Sequence, residues 1–101
     1  MTGMSMAPTL LPGDWLLVDP DAFRSRRPAG GDLVVVPDPR EPSRELVKRV
    51  ATVDVDGRST VRGDAPGAST DSRTFGPLDP ATFLGQPWFR YWPLRRLGRV
   101  R

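Results

Sequence analysis

Twelve prolines and ten glycines are spread through 101 residues. Proline removes a backbone donor and breaks a helix interior, so this punctuation argues against long helices and for short strands joined by turns. A chain of this length is one small domain with room for a single core. No apolar run approaches the length of a membrane span. The opening Met1–Leu10 has neither a basic region nor an apolar stretch of the kind that marks a secretory signal. The sequence therefore reads as a soluble, cytoplasmic chain with no transmembrane segment. Peripheral contact with a membrane surface is left open.

The strand signals are local. Trp15–Val18 follows the Gly13-Asp14 turn, and Asp32–Val36 carries three consecutive valines, stiff residues suited to a buried pleat. Residues 19–31 read as a basic surface loop, and residues 37–44, with three prolines, as an exposed loop. Residues 45–55 read as a longer strand, with Leu46, Lys48, Val50 and Thr52 on one face and Val47, Arg49, Ala51 and Val53 on the other. Asp56-Gly57 is a two-residue hairpin signal leading to a strand over Ser59–Arg62. Residues 63–77 are rich in turn formers. Asp79 can cap one helical turn over 79–84 with Pro80 at its first position. Residues 88–92 form an aromatic strand, whose rings are read as packing rather than as a base-stacking platform. The tail Leu94–Arg101 is expected to be basic and frayed. The predicted class is all-β, with short turns and at most one helical turn.

What the sequence lacks limits its chemistry. There is no cysteine and no histidine, which excludes thiol nucleophiles, Cys- or imidazole-ligated metals and any Ser-His-Asp triad. The net charge of +3 is too mild to mark a nucleic-acid binder. Fourteen arginines stand beside a single lysine, Lys48. A serine hydroxyl is a weak nucleophile and needs a base. A lysine can serve only when neutral, and burial disfavours its ammonium form. Lys48, between Leu46, Val47 and Val50, sits where such burial is expected.

Four segments then occur in order: Ser5-Met6-Ala7-Pro8-Thr9, Gly13-Asp14-Trp15-Leu16-Leu17-Val18, Lys48-Arg49-Val50, and Gly63-Asp64 leading to Ser69-Thr70-Asp71-Ser72-Arg73-Thr74-Phe75-Gly76. Together they resemble the signal peptidase I family of serine proteases. The resemblance implies a small catalytic domain of coiled β-sheet or barrel form over residues 1–93, followed by the basic tail 94–101. It implies a Ser/Lys dyad, with Ser5 as nucleophile and Lys48 as general base. It further implies that Ser69 orients the lysine and that Asp71 and Arg73 form a supporting ion pair. Where some members carry an oxyanion-binding hydroxyl, this chain has Gly3, which leaves backbone N–H groups, chiefly that of Ser5. The substrate would lie extended beside the edges around Ser5 and Lys48, flanked by Met6 and Val47.

Compact length, the turn Pro66-Gly67-Ala68, the run Ser69–Pro77 and the ending Arg90-Tyr91-Trp92-Pro93 are similar to one branch of that family, the nickel-type superoxide dismutase maturation proteases. That likeness implies removal of an N-terminal extension from a dismutase precursor, with the nickel belonging to the substrate. The enzyme itself is expected to need no cofactor and no metal. Two other readings compete: general signal peptidase activity on secreted precursors, and a non-catalytic basic binding module built on the aromatic strand and arginine tail.

Overall fold

A computed structural model describes residues 6, 9–11, 13–24, 26–64 and 76–101. Among these residues the chain forms six strands: β1 (Trp15–Asp19), β2 (Leu33–Asp38), β3 (Glu41–Val53), β4 (Ser59–Arg62), β5 (Gln86–Trp92) and β6 (Gly98–Arg99). They assemble into two antiparallel three-stranded sheets, ordered β1-β5-β6 and β2-β3-β4. The only helical segments described are 3-10 turns at Pro80–Thr82 and Leu94–Arg96. The domain is all-β with short turns, as its proline and glycine content requires.

The valine run of β2 lies at the centre. Val34 and Val36 join Val50 and Val61 in one buried cluster, against which Phe23, Leu46, Leu78 and Phe83 pack. Leu33 turns the other way, into a second cluster with Met6, Leu10 and Val100, which Leu16 and Val47 cover. Val35 joins the two sheets, donating its N–H to Gly85 O at 2.9 Å while its own carbonyl accepts from Leu84 N at 2.8 Å. Gly85 is required there: a Cβ would stand 2.5 Å from the Asp19 carbonyl oxygen.

Three local expectations are corrected. The loop expected over 37–44 is a tight turn at Pro39-Arg40 followed by the start of β3. Asp38 closes that turn by accepting from the Arg40 N–H at 2.9 Å. Pro42 is tolerated because β4 pairs only with Arg49–Val53, which leaves the first half of β3 an edge. The hairpin after β3 is one residue wider than a two-residue turn. Asp54 N–H bonds to Arg58 O at 2.7 Å, Gly57 N–H to Asp54 O at 2.9 Å, and Gly57 takes φ +88°. That is a type I turn followed by a left-handed residue. The tail is not frayed: β6 pairs with β5 and Val100 is buried in the second cluster. The turn at Pro80–Thr82 forms with Asp79 as its cap, accepting from Ala81 N.

Candidate active site

Lys48 lies in the middle of β3 opposite Val34 of β2. It is 0% exposed, the largest fully buried side chain among the described residues. Its face is that of Leu46 and Val50, because side chains alternate along a strand, and both of those pack in the valine cluster. Hydrophobic burial on β2 and β3 thus carries the amine out of water.

The neighbouring Arg49 points to the opposite face and organises a polar network. It grips Asp64 through two parallel bonds, Nε to Oδ1 and Nη2 to Oδ2, each 2.8 Å. Its remaining donors reach Gly31 O and Arg101 O, also at 2.8 Å. Asp64 in turn accepts from Thr9 Oγ1 at 2.6 Å. The Arg49 guanidinium holds the Asp64 carboxyl below the usual carboxylate range against the opposing effect of burial, and the Thr9 hydroxyl adds to this. Bidentate charge-assisted bonds of this type fix geometry as well as adding energy.

A second network holds the other end of the same segment. Arg90 of β5 donates from Nη1 to Thr9 O at 3.0 Å and to Asp14 Oδ2 at 2.8 Å. Asp14 also accepts from Leu11 N–H at 2.9 Å, and Arg96 lies 3.6 Å away. Burial pushes the Asp14 carboxyl up, but the Leu11 N–H and the two arginines outweigh it and the net shift is downward. Met6, Thr9, Leu10 and Asp14 are therefore each fastened: Met6 and Leu10 in the apolar cluster, Thr9 to Asp64, and Thr9 and Asp14 to Arg90.

Of the predicted site residues, Lys48, Met6 and Val47 are described. Ser5, Ser69, Asp71 and Arg73 lie outside the described residues. Met6, expected beside the substrate, is 0% exposed with its side chain in the core. Val47 is half-buried against the same cluster. Thr9, Arg49, Asp64, Asp14 and Arg90 were not singled out as a network from sequence. All five stand in the quoted segments, but Thr9 and Asp64 are 55 positions apart, a pairing that only the fold reveals. Among the described residues, no group of three or more acidic, histidine or cysteine side chains is placed to hold a metal.

Residues 1–57 match the family model described as signal peptidase, peptidase S26. Mitochondrial ATP-independent inner membrane protease subunit 1b of Arabidopsis thaliana is 33% identical, over 95% of this chain and 70% of its own length. Subunit 1a of the same organism is also 33% identical, over 98% of this chain and 72% of its own. The human mitochondrial inner membrane protease subunit 1 is 27% identical, over 99% of this chain and 72% of its own. These relatives overturn the cytoplasmic reading, for their names place them at an inner membrane. That reading rested on the lack of a long apolar run, which does not report where a protease works. Among the described residues no helix is long and apolar enough to cross a membrane. The relatives lend no support to a nickel superoxide dismutase branch.

Proposed function

Because the chain belongs to the signal peptidase family, peptidase S26, it is a peptidase, and we propose that it removes N-terminal extensions from precursor proteins with Ser5 as nucleophile and Lys48 as base. The observation that carries the dyad is the complete burial of the only lysine. Beside it, Arg49 ties β3 through Asp64 to Thr9, four residues after Ser5.

The chemistry follows from an amine kept away from water. Burial favours the neutral form, so Lys48 Nζ can take the Ser5 hydroxyl proton as Oγ attacks the scissile carbonyl carbon. The resulting oxyanion is met by backbone N–H groups, chiefly that of Ser5. The carbon–nitrogen bond breaks, the amine product leaves with the proton from Lys48, and an acyl ester stays on Ser5. Water then attacks the ester, gives its proton to Lys48 and releases the acid, and the proton returns to Ser5. Ser69 orients the amine, and Asp71 with Arg73 braces the surrounding chain. The substrate lies extended and meets the backbone at Met6, whose side chain is committed to the core, and the half-buried Val47.

By likeness to inner membrane proteases, we set this activity at a membrane. General precursor processing takes precedence over the narrower nickel superoxide dismutase reading, which draws only on compact length, the turn Pro66-Gly67-Ala68, the run Ser69–Pro77 and the ending Arg90-Tyr91-Trp92-Pro93. The test is a cleavage assay with one precursor bearing a small-residue signal peptide and one nickel superoxide dismutase precursor, read by product mass. Cleavage of the first is expected, abolished in Ser5→Ala and in Lys48→Ala. Full activity in both variants would overturn the dyad, and cleavage of the dismutase precursor alone would restore the narrower reading.

A further inference from the structure

The seven residues of β5 hold one charge, that of Arg90. Its side chain is 13% exposed and that of its acid partner, Asp14, 1%. A pair this enclosed gives up hydration on both sides, and its attraction does little more than offset that loss. What such a pair supplies is a fixed geometry. Nε of Arg90 bonds to the Arg96 carbonyl at 2.7 Å and Nη1 to Asp14 Oδ2 at 2.8 Å, so the planar group is held at two edges. Asp14 is anchored in turn by Leu11 N–H on the same oxygen, at 2.9 Å. With the guanidinium set in this way, Nη1 also meets the Thr9 carbonyl at 3.0 Å.

Thr9 is thus gripped from both sheets. Its carbonyl is held by Arg90 of the β1-β5-β6 sheet. Its hydroxyl is held, through Asp64, by Arg49 of the β2-β3-β4 sheet, the residue after Lys48. The hold extends toward the start of the chain, because Leu10 N–H bonds to Met6 O at 2.9 Å and both side chains are fully buried. Met6 is joined directly to Ser5. Displacing the Thr9 carbonyl therefore displaces the frame to which Ser5 is attached. A neutral N–H or a water would satisfy that carbonyl as a hydrogen-bond partner; a charged, immobilised donor fixes its place as well.

We propose that Arg90 is a positioning residue for the nucleophile, with Asp14 as the group that orients it. The proposal deepens the Ser5/Lys48 reading and rests on it. Reactivity is steep in position: a misplacement of about 1 Å can cost about 100-fold in rate. Loss of Arg90 therefore acts on the chemical step, while binding of an extended substrate, spread over many backbone contacts, changes little.

The experiment measures kcat, KM and the pH dependence of cleavage of a peptide bearing a small-residue signal sequence, per folded molecule as judged by far-ultraviolet circular dichroism. Arg90→Gln is expected to lower kcat about 30-fold or more, with KM within about twofold. Arg90→Lys keeps a cation and a donor for Thr9 or Asp14 but not the fixed pair, and should recover part of that loss. Asp14→Asn keeps the shape but releases the guanidinium, and should lower kcat about tenfold. The pH profile should keep its place, since Lys48 is untouched. An unchanged kcat in folded Arg90→Gln would overturn the proposal, as would a loss confined to KM or a shifted pH profile. If Arg90→Gln does not fold, Arg90→Lys and Asp14→Asn decide in the same way. Ser5→Ala is run beside them: cleavage that survives there overturns the nucleophile itself, a failure separate from that of an inert Arg90.

Discussion

A lone lysine on a strand is ordinarily solvated at its tip; Lys48 is instead wholly enclosed. Its solitude among fourteen arginines made it visible in the sequence, and the apolar residues around it made its burial legible. The Arg49–Asp64–Thr9 contact was not legible, because its members come from three distant segments and each, alone, is an ordinary polar residue. Its geometry gives a prediction. Thr9→Val removes the hydroxyl that Asp64 accepts at 2.6 Å and should cost about 1–2 kcal/mol of stability. Thr9→Ser keeps the hydroxyl and should cost much less, both measured by urea unfolding. Arg49→Lys retains charge but loses the two-pronged grip, and is expected to destabilise by about 2–3 kcal/mol. If peptidase activity needs the segment after Ser5 held in place, Arg49→Lys should also lower kcat more than it raises KM.

Elements were read best where one short signal decides them. The valines of β2 and the Asp79-Pro80 cap each act within a few residues and are found where expected, while Asp56-Gly57 marks the place of a hairpin whose turn is one residue wider. The errors lie where tertiary contacts override local composition. Pro42 entered a strand because its side of β3 is an edge, and the arginine-rich tail became ordered because Val100 reaches the core and Gly98–Arg99 adds to β5. The junction between the two sheets at Val35 and Gly85 could not be seen either, since glycine there answers to the Asp19 backbone 66 positions earlier in the chain. Gly85→Ala would press a methyl group against that carbonyl and is expected to destabilise the domain by about 2 kcal/mol or more, as overpacking against rigid backbone does. Denaturant unfolding checks this; an unchanged midpoint would mean that the sheets part easily.

The described residues are tied together by apolar burial on both faces of β2 and by two acid–arginine networks that meet at Thr9. Both acids have carboxyls held below their ordinary range, Asp64 chiefly by Arg49, and Asp14 by Leu11 N–H and Arg90 against the upward push of burial. Depressed values mean that the unfolded chain binds protons more readily than the folded one. Their stabilisation is therefore complete above about pH 4 and is lost as pH falls through the lower folded values. Urea midpoints should fall on acidification below about pH 4, and Asp64→Asn should flatten that fall while lowering stability at neutral pH. Catalysis has a separate dependence. A protonated Lys48 cannot accept the serine proton, so cleavage should weaken on acidification while the fold persists. The most direct test of the dyad is covalent labelling by a peptidyl electrophile that traps serine nucleophiles, mapped by mass spectrometry in the wild type and in Lys48→Met, which keeps length but removes the amine. A single adduct on Ser5 in the wild type, absent from folded Lys48→Met, is the predicted result; equal labelling of both proteins, or an adduct elsewhere, would contradict it.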